Sequence, residues 1–192
     1  MLECAESFGL GLESKEFVVY DNAEIEINAG DIVYITGQSG SGKSIALREL
    51  AAQISQHQMV CNIDSVSLRE SPLIEQVGSS TDDAIRILSA AGLNDAYLFL
   101  RKPSELSDGQ LYRLKIAKLI ESEDRVWVAD EFGAVLDRTT AKVVAFNLQK
   151  QARAVGATVI IATTHKDLYE ELGPNVYLDK GYSEQMKIEY GE

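Results

Sequence analysis

The amino-acid sequence predicts an α/β fold, a mainly parallel β-sheet with helices on its faces, and three observations support this prediction. Three continuous apolar runs, at residues 31–37, 126–130 and 157–165, are typical of strands buried on both faces. Stretches with the periodicity of amphipathic helices separate these runs, as in sheets with helical connections. The 192 residues include 45% hydrophobic and 25% charged side chains, an ordinary globular composition. We therefore expect one domain over residues 1–192.

The first elements in chain order are predicted to be strands and one helix. Residues 16–30 alternate apolar and polar side chains around Ile25 and Ile27, which predicts a half-buried strand in an N-terminal antiparallel hairpin. After the buried run at 31–37, the apolar positions of residues 42–56 lie on one face of a helix. A short strand is expected over 60–64.

The middle of the chain is predicted to be a short helical lobe over residues 78–122. Thr81 is a suitable N-cap for its first helix, and Asn94 can cap a second helix that Pro103 ends. A third helix is expected over 109–122.

The last part of the chain returns to the alternation of helix and strand. A helix is predicted over 139–154, with Gly156 as its stop, before the buried run at 157–165. Residues 175–179 (NVYLD) and 186–190 (MKIEY) are predicted to be edge strands.

Charge and cysteine content exclude several classes of function. Eighteen Lys and Arg against thirty Asp and Glu give a net charge of −12, which makes non-specific binding to nucleic acid unfavourable, although a local basic groove remains compatible with it. Cys4 and Cys61 do not have the spacing of metal ligands or of a disulfide framework. Because neither a long apolar run nor the pattern of a signal peptide is present, we expect no direct membrane insertion and a cytoplasmic location.

The strongest motif is GQSGSGKS, which fits the pattern G-x-x-x-x-G-K-[ST] of a phosphate-binding loop and stands between a predicted strand and a predicted helix. Backbone N–H groups of such a loop and the start of the helix can bind a triphosphate. Lys43 is expected to reach the β- and γ-phosphates, and the Ser44 hydroxyl to bind Mg²⁺. The alternative, a Gly/Ser-rich turn with a surface lysine, does not account for the flanking elements. The predicted nucleotide-binding residues of the loop are Gly37, Gln38, Ser39, Gly40, Ser41, Gly42, Lys43 and Ser44.

Two adjacent carboxylates end the apolar run VWVADE. Asp130 is expected to hold Mg²⁺ directly or through water, and Glu131 to polarise the attacking water as the catalytic residue. Acidic residues also begin many turns, so this motif alone is weak. Together with the phosphate loop it predicts a P-loop nucleotide hydrolase. A kinase would need an acceptor site, for which the sequence offers no candidate.

A second helix start can also bind an anion. In the segment 105–120 (ELSDGQLYRLKIAKLI), Ser107 and the N–H of Gly109 are potential donors at the beginning of an apolar-faced helix. On composition alone, an ordinary capped helix explains this segment equally well.

Five motifs in order resemble those of the ATP-binding cassette (ABC) ATPases: GQSGSGKS, LSDGQ, VWVADEF, GAVLD and ATTH. The resemblance covers nearly the whole chain. It implies that two cassettes pack head to tail around two ATP molecules, with the signature LSDGQ of one facing the phosphate loop of the other. It further implies that Ser107, Gly109 and Gln110 contact the γ-phosphate side of the partner's ATP. Asp137 would cross the interface, and His165 would contact the γ-phosphate and help to orient the water.

The sequence departs from the family pattern at several positions. Asp108 occupies a position that is usually glycine, where it can serve the helix start. Gln76 is the best candidate for the Mg²⁺-contacting glutamine and lies only 31 positions before Ser107, so the intervening lobe is short. In the family this lobe docks on membrane subunits, and its reduction argues against a transporter. Phe8 and Phe17 are candidates to stack on adenine, or alternatively are core or edge-strand aromatics.

The sequence therefore predicts a soluble ABC-type ATPase that forms an ATP-dependent homodimer around two Mg-ATP to drive an unidentified process. The segments PLIEQVG, LSDGQLYR and ADEFGAVLDR resemble stand-alone or fused cassettes, including those joined to a predicted acetyltransferase domain, so a fused or separate partner domain is possible. The alternatives are the energy-coupling subunit of a membrane transporter and an ATP-gated nucleic-acid clamp. Neither long heptad insertions nor a basic surface supports the clamp.

Overall fold

A computed structural model describes residues 24–181 and 185–191, and its centre is a six-stranded sheet. The strands are β1 (Ile32–Gly37), β2 (Val60–Asn62), β3 (Val126–Ala129), β4 (Thr158–Thr163), β5 (Val176–Lys180) and β6 (Lys187–Tyr190). Their order is β2-β3-β4-β1-β5-β6. The first five run parallel, and β6 pairs antiparallel with β5. The predicted α/β class is confirmed.

Helices connect these strands, as the amphipathic segments predicted. They are α1 (Lys43–Ser55), α2 (Thr81–Ala90), α3 (Ala96–Phe99), α4 (Asp108–Glu121), α5 (Arg138–Val155) and α6 (Tyr169–Leu172). Single 3₁₀ turns lie at Ile63–Ser65, Leu73–Glu75 and Pro103–Glu105. None of the helices in the described part of the chain is both long enough and apolar enough to cross a membrane.

Two helix starts lie one residue from their predicted positions. The side chain of Ser80, not that of Thr81, caps α2 by accepting the N–H of Asp83. Asp95, not Asn94, caps α3 by accepting the N–H of Tyr97. Both neighbouring pairs consist of good capping residues, so the local sequence does not decide between them.

The core is divided between the two faces of the sheet. Successive side chains of a strand point to opposite faces, and all of β1 is buried. Accordingly, Ile32 and Tyr34 pack with α2, α4 and α5 on one face. Val33 and Ile35 pack with Leu47 of α1 on the other. The helices of the predicted lobe over 78–122 contribute to the first cluster, so they are packed continuously with the sheet.

The predicted N-terminal antiparallel strand is not formed by the residues that the structure describes. Ile25 and Ile27 are half-buried against the second cluster, as their alternation predicted, but residues 24–28 make no strand ladder. The N–H of Glu26 instead donates to the Tyr190 hydroxyl at 3.1 Å. The remainder of that segment, 16–23, lies outside the described residues.

The prediction that both C-terminal segments are edge strands is wrong for β5. This strand lies between β1 and β6, whereas β6 is at the end of the sheet. Buried and half-buried side chains alternate in β5, as they do in an edge strand. The half-buried ones are Tyr177 and Asp179, which form hydrogen bonds with Thr36. The antiparallel part of the sheet is therefore C-terminal.

Candidate functional site

The phosphate-loop motif forms the connection between β1 and α1. Gly40 and Gly42 have φ angles of +75° and +100°, the left-handed region that favours glycine. Gly42 begins α1, and its carbonyl accepts the N–H groups of Ile45 and Ala46 at 3.1 and 3.0 Å. A Cβ on Gly37 would lie 2.1 Å from the carbonyl oxygen of Lys180 in β5, so only glycine fits there.

Lys43 is the cation of this loop and is only 8% exposed. Its Nζ donates to the carbonyl of Gln38 at 2.8 Å, so the side chain folds back over the loop. Burial lowers its pKa, while the nearby carboxylates of Asp130 and Glu131 act in the opposite direction. The ammonium group is thus held where a phosphate could replace the carbonyl as its acceptor.

The loop presents hydrogen-bond donors that a triphosphate would satisfy. The Ser41 hydroxyl is fully buried and has no hydrogen-bond partner among the described residues. Buried polar atoms are rarely left without a partner, and this one belongs to the phosphate-loop motif. An orphaned hydroxyl, a buried ammonium group and the N-terminus of α1 together fit an anionic ligand.

The donor set also fits magnesium. Ser44 and Asp130 supply oxygen atoms, which Mg²⁺ prefers, and Mg²⁺ usually binds with one or two carboxylates plus waters and substrate phosphates. In residues 24–181 and 185–191 there is no group of three or more His, Cys, Asp or Glu side chains that could form an all-protein metal cage. The residues present therefore suit a metal that arrives with the phosphates.

A cleft of about 360 Å³ joins the loop to the ends of two neighbouring strands. Because β1, β3 and β4 are parallel, their carboxyl ends meet at the same edge of the sheet. The cleft is lined by Ser39, Gly40, Gly42, Lys43, Ser44, Ile45, Glu131, Ala134, Thr163 and Thr164. The predicted base Glu131 therefore shares one space with the phosphate loop.

Glu131 has an unusual backbone conformation. Its φ angle is +47°, and it is the only non-glycine residue with positive φ in the described ranges. Its N–H donates to Oδ1 of Asp130 at 2.9 Å, and its carbonyl accepts the N–H of Ala134 at 3.0 Å. The next N–H, of Phe132, donates to Ala162 of β4. Such a conformation is costly for glutamate and is maintained by these contacts.

His165 is next in sequence to two residues that line the cleft, but it does not line the cleft itself. It comes directly after Thr164, and its N–H donates to Oγ1 of Thr163 at 3.2 Å. The ring is half-buried, and burial together with the positive charge of Arg138 lowers its pKa. The imidazole is therefore neutral at pH 7, with one ring nitrogen able to donate and the other to accept.

The signature residues are arranged as a helix cap. Ser107 begins α4: its hydroxyl accepts the N–H of Gln110 at 3.4 Å, and its own N–H donates to Oε1 of Gln110 at 3.0 Å. A Cβ on Gly109 would lie 3.3 Å from the carbonyl oxygen of Val135. Asp108 is exposed in the first turn of the helix. None of these residues lines the cleft, so within one chain the two predicted phosphate-binding elements are separate.

Asp137 is the N-cap of α5. Its carboxylate accepts the N–H and the hydroxyl of Thr140 at 3.0 and 2.6 Å, and these bonds lower its pKa. The role predicted for Asp137 across an interface remains a prediction, because the contacts described are local.

The contact with Mg²⁺ predicted for Gln76 remains a prediction, because the side-chain contacts described are local. The side chain is 3% exposed and bonded within its own loop: Oε1 accepts the N–H of Arg69 at 3.1 Å, and Nε2 donates to the carbonyls of Arg69 and Ser71. It therefore fixes the loop over 69–76 and does not line the cleft. Sequence spacing alone could not show this, since the loop closes on itself. The adenine-stacking candidates Phe8 and Phe17 lie outside the described residues.

The parallel sheet, the phosphate loop and the acidic pair at the end of β3 give the chain the P-loop fold of an ATP-binding cassette. A family model described as an AAA domain matches residues 27–173, and the chain belongs to that family.

Comparison with known proteins supports the same class. The methionine import ATP-binding protein MetN of Streptococcus agalactiae is 24% identical over 204 residues, which cover 85% of this chain and 57% of that protein. The macrolide export ATP-binding/permease protein MacB of Burkholderia pseudomallei is 27% identical over 186 residues, or 78% of this chain and 28% of that protein. The chain thus spans little more than half the length of the methionine import proteins.

Two solved structures share the fold. The dimeric structure of a bacterial ABC transporter cassette has a TM-score of 0.67 at 20% identity, with 90% of each chain covered. A dimeric post-hydrolysis state of an ATP-binding cassette bound to ADP and Pi has a TM-score of 0.68 at 19% identity, with 94% of each chain covered.

Proposed function

We propose that the chain binds Mg-ATP at the phosphate loop and hydrolyses it while two copies of the chain are packed head to tail. The observation that carries this proposal is the shared cleft, in which the loop and the Glu131 carboxylate face one space. A loop that only bound nucleotide would not require a carboxylate in that position.

The residues of the cleft have distinct roles in the proposed step. The Glu131 carboxylate accepts a proton from a water molecule, whose oxygen attacks the γ-phosphorus as the bond to the ADP oxygen breaks. Lys43 and the loop N–H groups hold the phosphates in line for this attack. Ser44 and Asp130 would hold Mg²⁺, which supplies positive charge against the phosphate oxygens. His165, neutral and next to the cleft wall, would hydrogen bond at the γ-phosphate.

The separation of Ser107 from the cleft supports assembly between copies. Ser107 is exposed at the start of a 14-residue helix, so its N-terminus is open to an anion from another molecule. With −12 charges on each chain, two copies repel one another until the γ-phosphate is bound by donors from both. ATP is therefore expected to hold the dimer together, and the related cassettes solved as dimers support this arrangement.

Light scattering on the Glu131→Gln variant tests the proposal. Slow hydrolysis should trap a dimer with Mg-ATP but not with Mg-ADP. Ser107→Arg places bulk at the expected contact and should prevent dimerisation while ATP binding to each chain persists. Ser55→Arg is the matched control, because Ser55 ends α1 about 18 Å along the helix from the loop, and it should leave dimerisation intact. A Glu131→Gln protein that remains monomeric in saturating Mg-ATP would contradict the homodimer.

The two related proteins indicate a second candidate function. Both are ATP-binding proteins of import or export systems, and this chain spans only part of each, so a role as the energy-coupling component of a larger assembly is the second proposal. The short lobe, in which α3 has only four residues, supports the first proposal instead. ATP hydrolysis that requires an added membrane partner would favour the second.

A further inference from the structure

The turn over 165–168, between β4 and α6, is fixed at each of its four residues. Lys166 donates to Oδ2 of Asp179 in β5 at 2.6 Å. Asp167 forms an ion pair with Arg138 at the start of α5. Leu168 is fully buried in the core. Three separate elements therefore restrain the segment that carries His165.

Tyr34 of β1 is hydrogen bonded to the first residue of this turn. Its ring is fully buried between the sheet and α6, and it contacts the Tyr177 ring with centroids 5.5 Å apart. Its hydroxyl donates to the main-chain carbonyl of His165. Burial raises the pKa of this phenol, so the hydroxyl keeps its proton and remains a donor at physiological pH.

The imidazole of His165 is restrained chiefly through its backbone. Among the described residues, no hydrogen bond to the ring nitrogens is present, whereas the N–H and C=O of His165 both have partners. A ring without side-chain partners takes its position from the main chain that carries it. A shift of that main chain would therefore move the ring relative to the cleft wall formed by Thr163 and Thr164.

We propose that Tyr34 is a positioning residue for His165: its buried hydroxyl fixes the turn over 165–168 and so places the imidazole next to the γ-phosphate end of the cleft. The kinetic part of this inference rests on the proposed function, because it assigns His165 a contact with ATP. The positional part does not, since it concerns the free protein.

Tyr34→Phe removes the hydroxyl and keeps the ring, and Tyr177→Phe is the matched control. Tyr177 is in the same aromatic cluster, but its hydroxyl bonds to Thr36 and reaches the turn only indirectly, through Asp179 and Lys166. The chain contains two histidines, so the ring signals in the NMR spectrum of the nucleotide-free protein are easily assigned, with His57 as an internal reference. Tyr34→Phe should shift or broaden the His165 signal alone. Tyr177→Phe should leave it in place.

Unfolding midpoints of the two variants separate positioning from stability. A similar decrease in both, with a change of the His165 signal only in Tyr34→Phe, supports the proposal. A His165 signal that is identical in Tyr34→Phe and in the unmodified protein would overturn it.

Kinetics of ATP hydrolysis supply the second test. Tyr34→Phe should lower kcat roughly tenfold with little change in KM. A displaced His165 imidazole reduces the rate of turnover more than it reduces the affinity for ATP. In a His165→Ala background, the same substitution should have no further effect on kcat. An equal, additive decrease in both backgrounds would overturn the kinetic role. If His165→Ala alone retained full activity, the ATP contact assigned to His165 would be wrong, while the NMR result would still decide the positional claim.

Discussion

The phenolic oxygen of Tyr112, in α4, accepts a hydrogen bond of 3.2 Å from the backbone N–H of Gly133. The Tyr112 ring also packs edge-on against Phe132, with centroids 6.2 Å apart. Tyr112 lies five residues after Ser107, and Gly133 lies two residues after Glu131. One side chain thus connects the signature helix to the turn that carries the proposed base.

Tyr112→Phe should loosen that turn. The Gly133 N–H would lose its partner in a largely buried setting, which costs about 1 kcal/mol in the free energy of unfolding. We expect turnover to fall several-fold with ATP affinity unchanged, as measured by steady-state hydrolysis and calorimetric titration. Tyr190→Phe is the control: Tyr190 is exposed on β6, and within the described part of the chain its hydroxyl accepts only the N–H of Glu26. Equal turnover for the two variants would contradict the proposed connection.

Lys43→Ala should abolish measurable ATP binding. The triphosphate loses the buried ammonium group that opposes its charge, and the shortened side chain leaves the carbonyl of Gln38 without its donor. Isothermal titration calorimetry with Mg-ATP measures the effect. Lys150→Ala removes the same charge from an exposed position on α5 and should bind ATP as the unmodified protein does. Comparable affinities for the two variants would remove the phosphate-loop assignment.

The strands and the motif positions could be predicted because their signals are local. The apolar run at 31–37 identified β1 (Ile32–Gly37) to within one residue, and Gly42 and Gly156 stand at the ends of helices as expected. A strand buried on both faces has no polar alternation to obscure it.

The sequence misplaced β5 and could not predict two local backbone arrangements. The place of β5 between β1 and β6 depends on its neighbours, while its own alternating pattern is that of an edge. The loop that encloses Gln76 is closed by backbone groups of Arg69 and Ser71, which carry no sequence signal. Nor does the sequence ADEF indicate that Glu131 has positive φ, because glutamate rarely adopts that conformation.

The strained backbone of Glu131 predicts that two uncharged replacements at this position differ in stability. Asparagine tolerates left-handed φ better than glutamine, so Glu131→Asn should be more stable than Glu131→Gln by about 0.5–1 kcal/mol. Both variants lack the base, and turnover of each should fall by roughly 10²-fold or more. Urea denaturation measures the free energy of unfolding of each variant, and the two values are comparable when the m-values are equal. A Glu131→Gln protein that is the more stable of the two would show that the contacts of Glu131, not its backbone, determine stability here.

The lowered pKa of His165 predicts a pH-dependent contribution to stability. Between the folded pKa and the ordinary value near 6.5, the unfolded chain binds a proton that the folded protein does not. The contribution of His165 is therefore present above pH 6.5 and is lost as the pH falls through the folded value. We expect the free energy of unfolding, measured by urea denaturation, to decrease less between pH 7.5 and pH 5.5 for His165→Gln than for the unmodified protein.

The close approach of Gly37 to the carbonyl of Lys180 has a consequence for biosynthesis. One wall of the phosphate loop is a strand that follows it by more than 130 residues. The loop, although made early, cannot take its final shape on the ribosome until β5 has emerged and inserted beside β1. Nucleotide capture should therefore begin only after nearly all of the described chain has been translated, and a nascent chain stalled before Val176 should not be retained on immobilised ATP.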